Sequence, residues 1–197
     1  MANSNKFIKD YFNSITKIND KLDKKKISLI IEELSILRKN KGRLFFIGIG
    51  GSAANASHAV NDFRKLCSIE TYTPTDNVSE FSANVNDSGW DSSFLNYLKI
   101  SKLNSNDVLF VLSVGGGNKS KKVSVNIIKA IEFAKQKKST ILSIVGRTDG
   151  FAAKNSDIAL LVPIVKKELV TPFSESFQSV ILHCIVSSPL LQKNKTK

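Results

Sequence analysis

The stretch that decides the fold reads LFFIGIGGS and spans residues 44–52. Its first four residues, Leu44 to Ile47, are apolar without interruption and lead into glycines, which is typical of a short strand buried on both faces. Strands of this kind belong to parallel sheets that helices cover on each side. A helical pattern resumes at Ala53 and continues to Leu66, so the stretch predicts a strand, a tight glycine loop and a helix.

The same alternation repeats along the chain. Three further apolar runs predict strands, a weaker run predicts a fifth, and helical stretches separate them. The strong runs are Val108–Leu112, Ile141–Val145 and Ile158–Val162, the weak one is Ile69–Tyr72, and the later helices are Ser124–Lys135, Phe151–Asn155 and Pro172–Ser187. We therefore expect a single α/β domain, in which an open, mostly parallel sheet lies between two helical layers as in flavodoxin-like three-layer folds.

Two amphipathic helices are predicted before the first strand, between about Asn5 and Arg38. The first has a wide apolar stripe for a helix with no element before it. We expect residues 1–40 to form an N-terminal helical segment that packs on the core or on a neighbouring subunit. Residues 41–191 form the α/β domain in this division, and residues 192–197 a flexible tail.

The composition is that of a soluble globular protein, with 42% hydrophobic and 23% charged residues. The amino terminus lacks the apolar core of a signal peptide, and no apolar run reaches the roughly 18 residues that cross a bilayer. We expect a cytoplasmic protein without membrane contact, in which Cys67 and Cys184 are reduced thiols. The net charge of +12 is spread along the chain, without the aromatic–basic interleaving of single-strand binders. No nucleic-acid partner is expected, although the positive field would attract anionic ligands.

Two polar glycine loops follow predicted strands, Gly48–Ser52 and Ser113–Asn118. Ligands of open parallel sheets bind beyond the carboxyl ends of the strands, and glycines with helix N-termini suit a phosphate there. A dinucleotide site is the alternative, because Gly48, Gly50 and Ala53 fit a permissive fingerprint with Glu70 downstream. The second loop has no place in that motif and the chain is short for two domains, so we expect a phosphorylated sugar and no nucleotide cofactor.

Two histidines lie on predicted helices that also carry acids. His58 and Asp62 are four residues apart and share a helix face, and His183 follows Glu175 on the last helix. A lone helical histidine is commonly structural, whereas two with acidic neighbours suit acid–base chemistry.

The sequence resembles the sugar isomerase (SIS) domain family, and within it the phosphoheptose isomerases. Residues 50–58 read GGSAANASH and resemble the GGSAADAxH signature of that group. Asn86, Asp87 and Gly89 resemble its ND-x-G element, and residues 146–150 its GRDGG turn with one inserted residue. The similarity extends from about Lys41 to Leu191.

The resemblance implies an aldose–ketose isomerisation of sedoheptulose 7-phosphate or a similar sugar phosphate through an enediol. Asp62 would be the base and His183 the acid, with reversed roles in the other direction. The residues it implies for binding the substrate or its phosphate are Gly50, Gly51, Ser52, Asn86, Asp87, Ser113, Gly115, Gly116, Asn118, Ser124 and Thr171.

Two residues and one loop depart from the family pattern. Asp62 stands where the family has a catalytic glutamate, and the missing methylene shortens its reach by about 1.5 Å. Glu175 stands where the family has a glutamine. The second loop has lost two hydroxyls of the family's STSGNS sequence, and a short insertion follows it before Ser124.

The same residues also suggest a metal site. His58, Asp62, Glu175 and His183 are acceptable ligands for Zn²⁺ or another divalent cation, which some phosphoheptose isomerases carry at this place. The resemblance further implies a homotetramer with sites shared between subunits. The alternative function is a non-catalytic SIS module that binds a sugar phosphate or a protein partner in a regulatory role.

Overall fold

The structure, a computed structural model, describes residues 2–194 of the 197, with side chains from residue 4 onward. Met1 and residues 195–197, the last part of the predicted tail, lie outside the described residues. Before that point the tail is attached to the domain, since the backbone N–H groups of Lys193 and Asn194 both donate to the carbonyl oxygen of Leu66.

A five-stranded sheet forms the centre of the molecule, and all of its strand pairs are parallel. The strands are β1 (Leu44–Ile47), β2 (Thr71–Tyr72), β3 (Val108–Ser113), β4 (Thr140–Val145) and β5 (Ile158–Leu161), in the spatial order β2-β1-β3-β4-β5. The chain leaves β1 towards one edge and returns to pair β3 on the other side of β1. The loops after β1 and β3 therefore lie side by side at the switch point where such sheets bind ligands.

Eight α-helices within residues 2–194 surround the sheet. They are α1 (Ala2–Lys21), α2 (Lys24–Lys39), α3 (Gly51–Cys67), α4 (Val78–Ser88), α5 (Ser93–Ile100), α6 (Val125–Gln136), α7 (Phe151–Asn155) and α8 (Val170–Val186). Alternate strand residues point to opposite faces, so Phe46 packs with α2, α3 and α8 while Phe45 packs with α5 and α6. The predicted three-layer α/β architecture is confirmed.

The N-terminal segment packs on the helical layer that contains α3 and α8. Ile18, Ile30 and Leu34 are completely buried in the core that α3 and α8 share with the sheet. The amino-terminal half of α1 is different, because Phe7, Ile8 and Phe12 are more than half exposed.

Several boundaries differ from the sequence prediction. Helix α3 begins at Gly51 and not at Ala53, so Gly51 and Ser52 belong to its first turn. Helices α4 and α5 were not predicted. Residues of α4 are all at least partly exposed, so this helix has no buried apolar stripe. Helix α5 buries Phe94, Tyr97 and Leu98, but its eight residues are too few for the helical period to stand out in the sequence.

One described segment, Lys167–Val186, is long and apolar enough to cross a membrane by length and composition. Core helices of soluble domains share these properties, and 44% of its apolar window is buried inside the domain. Helix α8 contacts α3, α2 and β3 within the fold. Its composition alone is therefore weak evidence for a membrane span.

Candidate functional site

Three titratable side chains from α3 and α8 meet at the surface. The Nε2 atoms of His58 and His183 are 2.9 Å apart, and Asp62 Oδ2 lies 3.3 Å from the first and 3.7 Å from the second. About half of each imidazole is exposed, whereas only 14% of the Asp62 side chain is. The two histidines predicted from sequence thus meet around one carboxylate that is mostly shielded from water.

The contact between the rings restricts their protonation. A hydrogen bond between two Nε2 atoms requires one ring to donate and the other to accept, so the neutral rings must carry their protons on different nitrogens. With both rings protonated, two N–H donors would face each other. The group therefore suits either one shared proton or a cation in place of it.

An amide pair, of which Gln178 is buried and Asn55 is partly exposed, holds α3 and α8 together beside this group. Asn55 Nδ2 donates to the backbone oxygen of Glu175 at 2.8 Å and to Gln178 Oε1 at 3.1 Å. Gln178 is completely buried, and its Nε2 has no hydrogen-bond partner among the described residues. Asn55 precedes His58 by one turn, so this pair sets the register in which His58 reaches His183.

Glu175 lies apart from the histidines. The ligand atoms that lie within 4.8 Å of one another come from His58, Asp62 and His183, without Glu175. Its carboxylate instead lies against Gly51, where a Cβ atom would be 2.6 Å from the carboxyl carbon. The structure therefore places three of the four predicted metal ligands together and the fourth at the amino terminus of α3, where a negative charge is favourable.

The first glycine loop is short and partly closed. Gly50 has a φ of +61°, which allows the sharp turn from β1 into α3. The next predicted ligand, Ser52, is only 1% exposed, so its hydroxyl lies beneath the surface.

The second glycine loop is ordered by its own side chains. Ser113 Oγ accepts a hydrogen bond from the N–H of Gly116, and Ser113 is 7% exposed. Asn118 Oδ1 accepts from the Ser120 hydroxyl and from the N–H of Lys121, both at 2.9 Å. These predicted phosphate ligands are thus engaged within the loop.

The remaining predicted substrate residues are spread over the surface. Ser124 is half-buried in the left-handed conformation just before α6, and Gly115 is exposed at the loop tip. Asn86 and Asp87 are exposed at the end of α4 and hydrogen-bond each other, while Thr171 is exposed in the first turn of α8. None of these three makes a side-chain hydrogen bond to either glycine loop within residues 4–194.

Sequence reasoning missed several residues near these loops. Asn55 and Gln178 form the amide pair between α3 and α8, and Lys121 and Arg147 line a cleft of about 260 Å³ beside the second loop. The burial of a glutamine on α8 is not visible in a sequence. The insertion that contains Lys121 was visible, but its fold was not.

Comparison with known proteins identifies the family. Residues 7–146 match the family described as the SIS domain. Phosphoheptose isomerase of Buchnera aphidicola from Acyrthosiphon pisum is 32% identical over 167 residues, which are 80% of this chain and 83% of that protein. The Helicobacter pylori enzyme of the same name is 31% identical over 71% of this chain and 70% of its own. A lincomycin biosynthesis protein of Streptomyces lincolnensis is 28% identical, and the match spans 56% of that relative's length.

Solved structures show the same fold. Phosphoheptose isomerase from Neisseria gonorrhoeae superposes with a TM-score of 0.79 at 21% identity, covering 92% of this chain and 97% of that one. The NanR protein of Vibrio vulnificus, complexed with ManNAc-6P, superposes with a TM-score of 0.62 at 14% identity, over 89% of this chain and 57% of that one. With the SIS domain matching more than half of its residues, this chain belongs to the SIS domain family, as a divergent member close to the phosphoheptose isomerases.

Proposed function

We propose that the protein is a phosphosugar isomerase that interconverts sedoheptulose 7-phosphate and D-glycero-D-manno-heptose 7-phosphate, or a closely similar ketose and aldose phosphate. The observation that supports this most directly is the contact of Asp62 with both His58 and His183. The chain that carries this group is also similar in sequence to phosphoheptose isomerases. Proton transfer between C1 and C2 of a sugar needs a base and an acid side by side.

The geometry suits Asp62 as the base and His183 as the acid. Asp62 is mostly shielded from water, so its carboxylate is well placed to take the proton from the sugar carbon. His183 is about half exposed, which allows its imidazole to donate a proton to the carbonyl oxygen of a bound sugar. His58 contacts both groups and orients them. In the reverse direction the acid and the base exchange roles.

The same three side chains also fit a divalent cation. Ligand atoms on a tetrahedral zinc ion lie about 3.3 Å apart, given Zn–N and Zn–O distances of roughly 2.0–2.2 Å. The three separations here are 2.9, 3.3 and 3.7 Å, and two imidazoles with a carboxylate are ligands that zinc accepts. His58, Asp62 and His183 would hold the ion, which would polarise the sugar carbonyl. Glu175 is outside the group as it stands.

A non-catalytic role is the second candidate. Asp62 replaces the longer glutamate that the resemblance implies for the base, and its carboxylate is already in contact with two imidazoles. A protein that keeps the sugar-phosphate site and lacks the chemistry would act as a sensor. The two candidates differ in whether a bound sugar phosphate exchanges a carbon-bound proton.

Proton NMR of sedoheptulose 7-phosphate in D₂O tests the proposal. The isomerase should produce an aldoheptose 7-phosphate with deuterium at C2, and His183→Asn should lower that rate at least about 100-fold. Cys184→Ser is the matched control, because Cys184 is the exposed neighbour of His183 and lies outside the group. A binding signal without product or exchange, with and without Zn²⁺, would favour the sensor. Parallel reactions with and without Zn²⁺ distinguish metal-assisted from metal-free chemistry.

We also propose that the protein works as a cytoplasmic homo-oligomer, a tetramer on the family resemblance. The exposed apolar side chains on α1 support association, because Phe7, Ile8 and Phe12 are 55%, 52% and 63% exposed.

A further inference from the structure

The amino terminus of α3 is unfavourable for a second anion. The Glu175 carboxylate already lies against Gly51, and Ser52 is buried. A phosphate dianion at this position would face a like charge and lose a hydroxyl partner. The negative group of a ligand therefore needs another place along the switch point.

The insertion after the second loop forms a small hairpin. Asn118 and Val123 exchange backbone hydrogen bonds of 2.9 and 3.1 Å, and the Asn118 side chain fixes the turn between them. Lys119 attaches the hairpin to the domain, because its ammonium group pairs with Glu132 at 2.5 Å and lies 4.9 Å from the centre of the Phe151 ring. The hairpin is thus anchored beside the loop.

Two cationic side chains beside the second loop form no ion pair with another residue among residues 4–194. Lys121 from the hairpin and Arg147 from the turn after β4 line the same cleft of about 260 Å³. Within residues 4–194, neither has a carboxylate within 4.0 Å. Asp149 also lines the cleft, which leaves the side chains with one net positive charge. The backbone of Gly115 and Gly117 also lines this cleft.

The cleft has the chemistry of a small anion site. Its volume is below the roughly 300–1,000 Å³ of pockets for drug-sized ligands, which suits a single charged group with part of a sugar. An arginine presents paired donors to phosphate oxygens and a lysine adds a mobile point charge. The cleft also lies at the carboxyl ends of β3 and β4, on the ligand side of the sheet.

We propose that Lys121 and Arg147 form the subsite that holds the phosphoryl group of the sugar phosphate. The identity of the ligand as a sugar phosphate rests on the proposed function, whereas the anion subsite does not. In this arrangement Lys121 of the inserted hairpin and Arg147 of the turn after β4 replace the hydroxyl groups that the second loop lacks.

Binding of inorganic phosphate tests the subsite without any catalysis. Calorimetric titration at low salt should show that Lys121→Gln and Arg147→Gln each weaken phosphate binding about tenfold, since a hydrogen bond to a charged group is of that strength. Lys122→Gln is the matched control, because this exposed lysine belongs to the same hairpin and does not line the cleft. Equal affinities in all three variants would overturn the subsite.

Sugar-phosphate measurements then identify the source of the anion. If the cleft holds the substrate's phosphoryl group, Lys121→Gln should raise KM about tenfold and leave kcat within about twofold, because phosphate contacts bind the ground state and the transition state alike. Unchanged KM together with weakened inorganic phosphate would overturn the assignment to the substrate. Should the protein lack isomerase activity, the dissociation constant of the sugar phosphate replaces KM in the same comparison.

Discussion

At the scale of single residues, three polar atoms decide what the surface between α3 and α8 can do. His58, Asp62 and His183 come within hydrogen-bonding or ligand-forming distance of one another, whereas Glu175, the fourth residue that the sequence grouped with them, does not. The difference arises because Glu175 is eight residues before His183, more than two turns away along α8. Its side chain meets the start of α3 and not its middle.

This placement predicts which residues bind zinc. Asp62→Asn, His58→Ala and His183→Ala should each lower Zn²⁺ affinity at least about 100-fold, since even the loss of a residue that only supports a ligand costs 10–100-fold. Glu175→Gln should change it less than about threefold. Competition titration with a chromogenic chelator measures these affinities. A loss in Glu175→Gln as large as in Asp62→Asn would show that the Glu175 side chain turns into the group when metal binds.

At the scale of elements, the crossing of α3 and α8 depends on a polar contact within an apolar interface. The side-chain amide of Asn55 donates a hydrogen bond to Oε1 of the completely buried Gln178 and another to the backbone oxygen of Glu175. Buried polar groups without partners are costly, so this contact both stabilises the interface and fixes its register.

Asn55→Ala should therefore lower the free energy of unfolding by about 1–3 kcal/mol, because it leaves Gln178 Oε1 buried without a donor. Urea denaturation followed by circular dichroism gives this value. Ser176→Ala, an exposed change on the same helix, should stay within about 0.5 kcal/mol of the parent. A stability equal to that of Ser176→Ala would mean that water replaces the amide at no cost.

The sequence predicted the central elements well and the peripheral ones poorly. Strand β1 is a continuous apolar run, β3 is apolar up to its last residue, and β4 is interrupted only by the buried Ser143, because helices cover both faces. The order of helices and strands follows from that pattern. Helix α4, which was not predicted, has no buried residue, and β2, predicted from a weak run, has only two residues at the sheet edge. Elements with so little burial leave no strong period in the sequence.

At the scale of the whole molecule, the amino-terminal half of α1 has an apolar face without a partner in the described chain. If a second copy covers Phe7, Ile8 and Phe12, sedimentation velocity should show an oligomer for the parent and a smaller species for Phe12→Glu, because a buried charge without a partner opposes association. Val78→Glu is the control, since Val78 is 77% exposed on α4. A parent protein that sediments as a monomer would contradict the expected assembly.

The two thiols report on the integrity of the fold. Burial raises the pKa of Cys67 to about 11, whereas Cys184 is exposed. The thiolate is the reactive form, so Cys67 should stay unmodified by iodoacetamide at pH 8 and react only as the pH approaches its raised pKa. Mass spectrometry should find one modified cysteine in the folded protein and two in urea. Rapid modification of Cys67 in a folded Cys184→Ala variant would show that the core opens locally.

What the sequence by itself determined is the pattern that local chemistry sets: buried parallel strands, glycine loops at their ends, and two histidines on helices that also carry acids. Apolar runs, glycines and helical spacing express burial and backbone freedom, which are properties of neighbouring residues along the chain. Only the tertiary structure decided that Asp62 joins both histidines, that Glu175 lies against the start of α3, and that Lys121 and Arg147 line one cleft. Those contacts join residues from separate elements, and their distances depend on how helices cross and how an inserted hairpin folds back onto the sheet.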